Sequence, residues 1–214
     1  MNALLGAKKL GRPQAVDAGE TRKRLVTEAR RLFAEIGYDA TTNRLVADAV
    51  GITTGAIYHY FPSKKDMYLA AFAEVQEMVY GALETAAGSH DSFAGKFSSI
   101  LDELANISKQ EPSFIGFVVG VAAESQRHPE LASELSLLRA RTGRFLHEIC
   151  EDAVRTGEVN EGITGQVLQD MINVVMSGLS RFSHVVDDAE RRQQVVEGLK
   201  QLMAGTVLRT PAVR

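Results

Sequence analysis

Apolar residues return every three or four positions along nearly the whole chain, and no stretch shows the strict alternation of a half-buried strand. A chain patterned this way buries its apolar groups as packed helices, so the expected fold class is all-α, with about nine helices. From Thr21, residues Leu25, Ala29, Leu32 and Ile36 share one face with Val26 and Phe33 beside them, and Gly37 is placed to end that helix in a left-handed conformation. A short helix follows, capped by Thr42 or Asn43, with Leu45, Val46, Ala49 and Val50 inward, and Gly51 closes it. Thr53 caps a third, brief helix that Pro62 cannot continue, and Ser63-Lys64-Lys65-Asp66 opens a fourth with a capping-box pattern.

The remainder reads as helices as well. Phe93, Phe97, Ile100, Leu101, Leu104 and Ile107 form one stripe, while Pro112 and Pro129 stand at two further helix starts. Val167–Val186 is apolar nearly all round and is expected to be buried on every side, and a last amphipathic helix spans Ala189–Leu208. Their apolar surfaces are covered either within one chain or by a second copy. The charged opposite face of the last helix (Glu190, Arg191, Arg192, Lys200) favours the second copy, with Val175, Leu179, Phe182, Val195, Leu199 and Leu202 as its interface.

Charge divides along the 214 residues: eleven Lys/Arg face seven Asp/Glu in residues 1–72, against thirteen and twenty in 73–214. That asymmetry points one half towards a polyanion. A single cysteine, Cys150, excludes an internal disulfide framework and fits a reducing compartment. With neither a signal-peptide pattern nor a bilayer-length apolar run, a cytoplasmic location without a membrane partner is expected.

Two short helices joined by a tight Gly51-Ile52-Thr53 turn make a helix-turn-helix pattern over about residues 42–61. Thr54, Gly55 and Ala56 keep the leading end of the second helix thin enough to approach base edges. Ile57 and Phe61, four apart, are inward anchors, and Tyr58, His59 and Tyr60 suit phosphates around the groove. Lys64, at the start of the fourth helix, is placed for another phosphate.

The segment TRKRLVTEARRLFAEIGYDATTNRLVADAVGITTGAIYHYFPSKKDMYLAAF, residues 21–72, resembles the DNA-binding domain of TetR-type transcriptional regulators. The resemblance rests on Gly37-Tyr38, Thr41-Thr42, Val46-Ala47, Gly51, Gly55, Ile57-Tyr58 and Phe61-Pro62-Ser63-Lys64 in combination. It implies a homodimeric repressor that grips a palindromic double-stranded operator and is released when a small molecule binds the larger domain. It also implies phosphate contacts for Thr42, Tyr58 and Lys64, and base or flanking-phosphate contacts for Arg44 and Thr54. Where the family often has histidine immediately before the phenylalanine, this chain has Tyr60, with His59 one place earlier. The expected organisation is a flexible basic arm (1–19), a three-helix DNA-binding domain (20–72), a helical effector-binding and dimerisation domain (73–208) and a tail (209–214). Arg12 either enters a minor groove or belongs to an arm that touches nothing.

No P-loop, GxGxxG, GxSxG or HExxH motif is present, and neither an enzyme nor a cofactor is expected. His147, Cys150 and Glu151 share a helix face but are read as two solvent-facing groups and a small hydrophobe, and no metal is expected. Phe97, Leu101, Phe114, Phe117, Phe145, Met171 and Asn173 either line a cavity for a lipophilic effector or pack as plain core. The alternative to a specific regulator is a ligand-binding or interaction module with only non-specific DNA affinity.

Overall fold

The protein is described here by a computed structural model covering residues 15–205. Nine helices and no strand occur among the described residues: α1 (Ala15–Ala40), α2 (Asn43–Val50), α3 (Thr54–Ile57), α4 (Lys64–Gly88), α5 (Phe93–Gln110), α6 (Pro112–Arg127), α7 (Pro129–Arg155), α8 (Gly165–Val185) and α9 (Ala189–Met203). Helix α1 begins at Ala15, so the last residues of the expected arm are helical, while Arg12 and the 209–214 tail lie outside the described residues.

Local chemistry sets the boundaries in the first third. The side chains of Thr42, Thr53 and Ser63 accept hydrogen bonds from the backbone N–H groups of Leu45, Ala56 and Asp66, each satisfying an otherwise orphaned amide at a helix start. Gly51 ends α2 at φ 78°, ψ 34°, the left-handed conformation that glycine enters at low cost. Gly37 also has positive φ (80°), but its ψ of 173° makes it a sharp break inside α1 and not the left-handed cap expected there.

The head formed by α1, α2, α3 and the start of α4 closes around Leu25, Val46, Ile57, Phe61 and Met67, all buried. Each large side chain in that set contributes about 1.5–3 kcal/mol by leaving water. Helix α4 does not stop at the expected domain boundary of residue 72. It runs on into the body, where Val75, Val79 and Leu83 belong to the same continuous core as the head. A second apolar cluster gathers Phe93, Phe97 and Leu101 of α5, Cys150 of α7, Leu168 and Ile172 of α8 and Val196 of α9.

The expectation that α8 is buried on every side is not met within one chain. Val167, Met171, Val174 (71% exposed) and Val185 form an outward stripe, and Leu202 of α9 is exposed as well. The inward side of α8 is already covered by α6, α7 and α9, and its remaining apolar face stays open to solvent among the described residues.

Candidate nucleic-acid interface and the cavity behind it

The helix-turn-helix presents its expected face. Gly55 is exposed, with open space where a Cβ would sit, and Thr54 and Ala56 beside it are half-buried. The leading tip of α3 is therefore slender and reachable. Ile57 and Phe61 are buried as anchors, and Tyr58 and His59 are exposed on the rim. Tyr60 departs from the expectation: it is half-buried and packs partly against the core. Thr42 and Thr53 are exposed, and because each hydroxyl oxygen accepts a capping bond, its proton stays free to donate to a phosphate. Arg44 is 82% exposed and held only by a loose 3.7 Å ion pair with Asp48.

Lys64 is already engaged within the fold. Its Nζ donates to the carbonyl oxygens of Tyr38 (2.7 Å) and Asp39 (3.3 Å) and lies 4.3 Å from the centroid of the Tyr38 ring. The ammonium ties the start of α4 to the end of α1, which leaves one of its three donors for a phosphate. Sequence reasoning missed this because its acceptors are backbone groups about two dozen residues upstream.

Behind the head, α4 to α9 enclose a half-open cavity of about 980 Å³. Val75, Val79, Phe114, Ile115, Val118 and Leu146 supply an apolar wall, whereas Gln169, Asn173, Ser177, Ser180 and His184 make the α8 side polar. Arg139 also faces the space, its guanidinium 5.2 Å from the Phe72 ring centroid. It is open to water yet surrounded by enough protein that burial holds its pKa below the usual value.

Only Phe114 and Asn173 of the seven expected lining residues stand in that wall. Phe97 and Leu101 are buried in the second cluster, and Phe117 packs against Phe33 and Tyr68 at the junction with the head. Phe145 meets Tyr80 edge-on and Met171 points outward. Of the expected interface residues, Val175, Leu179 and Leu199 pack on the second cluster. Phe182 lies beneath Arg191, Val195 is half-buried, and Leu202 is exposed. The unpartnered stripe is instead the neighbouring face of α8. Cys150 packs as a small hydrophobe, fully buried with its thiol pushed up to about 11 by burial, whereas His147 departs from the solvent-facing reading: it is half-buried and its ring pairs with Gln169 at 3.1 Å.

Helix α6 is the wall common to cavity and head. Phe114, Ile115 and Val118 look into the cavity, while Phe117 packs on Phe33 of α1 and Tyr68 of α4. At the N-terminal end of α6, buried Arg30 of α1 donates to Ser113 (3.3 Å), to Glu111 (2.8 Å) and to Glu74 of α4 (3.3 Å). Near the other end, the Tyr38 N–H donates to Glu124 at 3.3 Å. Gly116 lets the helices approach closely, since a Cβ there would lie 3.2 Å from the Ala34 Cβ and 3.4 Å from the His184 ring. Arg30 and Arg139 were not identified from the sequence. Arg30 carried a signal, a charge at an apolar phase of the first helix between Val26 and Phe33.

The profile of "Bacterial regulatory proteins, tetR family" matches residues 25–71, the head. The chain is similar to the HTH-type transcriptional regulator UidR of Escherichia coli K12, at 23% identity over 88% of this chain and 94% of that protein. It is also similar to the HTH-type transcriptional repressor Rv1474c of Mycobacterium tuberculosis, at 25% identity over 82% and 89% of the two chains. In fold it resembles the transcriptional regulator FadR from Bacillus subtilis, solved in complex with stearoyl-CoA, with a TM-score of 0.68, 16% identity, and 87% and 99% of the two chains covered.

Proposed function

The chain belongs to the TetR family of bacterial regulatory proteins and is a transcriptional regulator, and on that premise we propose that it acts in the cytoplasm as a repressor. In this reading it binds a palindromic operator as a homodimer and is released by an amphipathic small molecule. The observation that carries the reading is the double duty of α6, one side of which lines the cavity while the other packs on α1 and α4 of the head. A ligand that displaces Phe114, Ile115 or Val118 cannot do so without moving the surface on which Phe33 and Tyr68 rest.

The outward stripe Val167, Met171, Val174 and Val185 supports self-association, because a second copy of α8 and α9 would remove it from water. In the DNA-competent dimer the two α3 tips stand about one helical turn apart, ~34–36 Å. Thr54 and Gly55 meet base edges there, while Thr42, Tyr58 and His59 hold phosphates. The effector shifts the population only by binding the other conformer more tightly, and operator weakens effector binding by the same factor. An apolar wall facing a serine- and amide-rich one, with Arg139 beside it, suits a hydrocarbon body with a polar or anionic end. The stearoyl-CoA bound by FadR has that chemistry.

The test combines selection of genomic fragments bound by the protein with competition by random duplex at fixed salt. A specific regulator prefers its operator by roughly a thousandfold or more. Equal competition by random DNA would leave only a non-specific binding module. Long-chain acyl thioesters should raise the melting temperature and weaken operator binding, and stabilisation by sugars alone would reject the amphipathic effector.

A further inference from the structure

The junction between head and body holds three side chains that neither the DNA-facing surface nor the cavity uses. Asp39 stands in the last turn of α1, Glu124 in the last turn of α6, and His128 in the single-residue link between α6 and α7. His128 Nε2 lies 3.2 Å from Asp39 Oδ1 and 3.6 Å from Glu124 Oε2. It is buried and makes no hydrogen bond, so the approach to Asp39 is close but poorly aligned for one. The Glu124 side chain is itself only 8% exposed. One donor atom from each residue falls within 4.8 Å of the other two.

We propose that Asp39, Glu124 and His128 form a binding site for a divalent first-row transition metal that clamps the head to the body. Three ligand atoms placed tetrahedrally at ~2.0–2.2 Å from a common ion are about 3.3–3.6 Å apart, the spacing seen around Nε2. On the far side of the ring, Glu130 Oε1 lies 3.4 Å from Nδ1. A carboxylate there favours the tautomer with its proton on Nδ1, which turns the Nε2 lone pair towards Asp39 and Glu124, as second-sphere carboxylates do for ligating histidines. Three lone-pair-bearing atoms facing one another in a half-buried space repel unless a cation lies between them. Imidazole nitrogen with two carboxylates selects zinc, cobalt or nickel over magnesium and calcium, which favour all-oxygen sets. The fourth position is left to water.

Other charged groups nearby are compatible with this. Arg127 Nη1 lies 3.5 Å from both Glu124 oxygens, but that side chain is 59% exposed and free to swing outwards. Lys64 reaches the backbone carbonyl of Asp39, leaving its carboxylate available. Because Asp39 belongs to the head and Glu124 and His128 to the body, a bound ion resists any pivot between them.

The test measures zinc on dialysed full-length protein, by elemental analysis and by competition with a chromophoric chelator. The expected result is one zinc per chain, and Co²⁺ in place of zinc should show the visible bands of a low-symmetry four-coordinate site. H128N should abolish stoichiometric binding and D39N should weaken it at least tenfold. Asp39 is largely exposed, so the second variant keeps the fold. H147Q, which alters the other His/Glu pair, should leave the stoichiometry at one. Zinc should raise the melting temperature of the wild type, raise that of D39N less, and leave that of H128N unchanged. Failure to bind zinc, or binding that survives both D39N and H128N, overturns the proposal. So does a titrating His128 ring signal in NMR that zinc leaves unchanged, since the cation would then be a proton. Operator binding by the zinc-free protein is a separate readout, so this site can fail while the regulator reading stands.

Discussion

Replacing Arg30 probes the connection between cavity and operator most directly. Arg30 is 2% exposed and joins three elements: its own α1, Glu74 of α4, and Ser113 with Glu111 at the start of α6. Removing one member of a fully buried ion pair costs about 3–5 kcal/mol. Here the two carboxylates are 31% and 45% exposed and can rehydrate, which discounts that figure. Arg30→Ala should therefore cost about 2–4 kcal/mol, including the packing of the lost stem. For a chain of this length each kcal/mol lowers the melting temperature by about 2–4 °C, so a fall of roughly 6–12 °C is expected for the middle of that range. Arg30→Met keeps the apolar stem and should lose about half as much. Differential scanning fluorimetry gives the stability, and fluorescence anisotropy on the selected operator, with and without an active acyl thioester, gives the coupling. Both variants should bind operator in the absence of ligand yet respond to it at least fivefold less. A melting temperature within 1 °C of wild type together with a full ligand response would make the cluster a bystander and refute α6 as the transmitting wall.

Tyr58→Phe should weaken all duplexes alike, whereas Thr54→Val should change sequence preference at one position by about 1–3 kcal/mol; titrations on the operator and on single-base variants separate the two. If α8 is the self-association face proposed above, Val174→Asp should yield a folded monomer by placing an unpaired charge on that face, read by analytical ultracentrifugation, and should lower operator affinity with it. Cys150 should resist a thiol reagent at neutral pH in the native protein and react once denatured. Its thiol ionises near 9 when exposed but is pushed up to about 11 in the fold, so this group's contribution to stability should decline as pH rises across that window in alkaline denaturation curves.

The parts of the molecule legible from the sequence are those governed by near neighbours. Thr42, Thr53 and Ser63 cap helices through amides three residues away, and Gly51 turns by its own backbone freedom. Ile57 and Phe61 are anchors because the turn on one side and Pro62 on the other fix which way that short segment faces. Lys64 shows the limit: its position at the tip of α4 was evident, but its bond to the Tyr38 carbonyl depends on where α1 lies. The sequence leaves Phe97 and Leu101 open as cavity wall or core, and the packing of α5 against α7, α8 and α9 makes them core. The outward stripe of α8 escaped for the same reason, since a helix apolar nearly all round does not itself say which face its neighbours cover.

The sequence by itself determined an all-helical chain, the place and order of its helices, and a reading head whose tip must be thin, because periodicity, caps and turn chemistry act over three or four residues. Tertiary structure decided which apolar faces close a core, which line a cavity and which await another surface. It also decided that Arg30, Glu74, Ser113 and Glu111 meet, as do Asp39, Glu124 and His128. Those encounters bring Arg30 and Asp39 to residues about forty to ninety positions further along, and their energies exist only once packing has set the angle and rotation of each helix against the next.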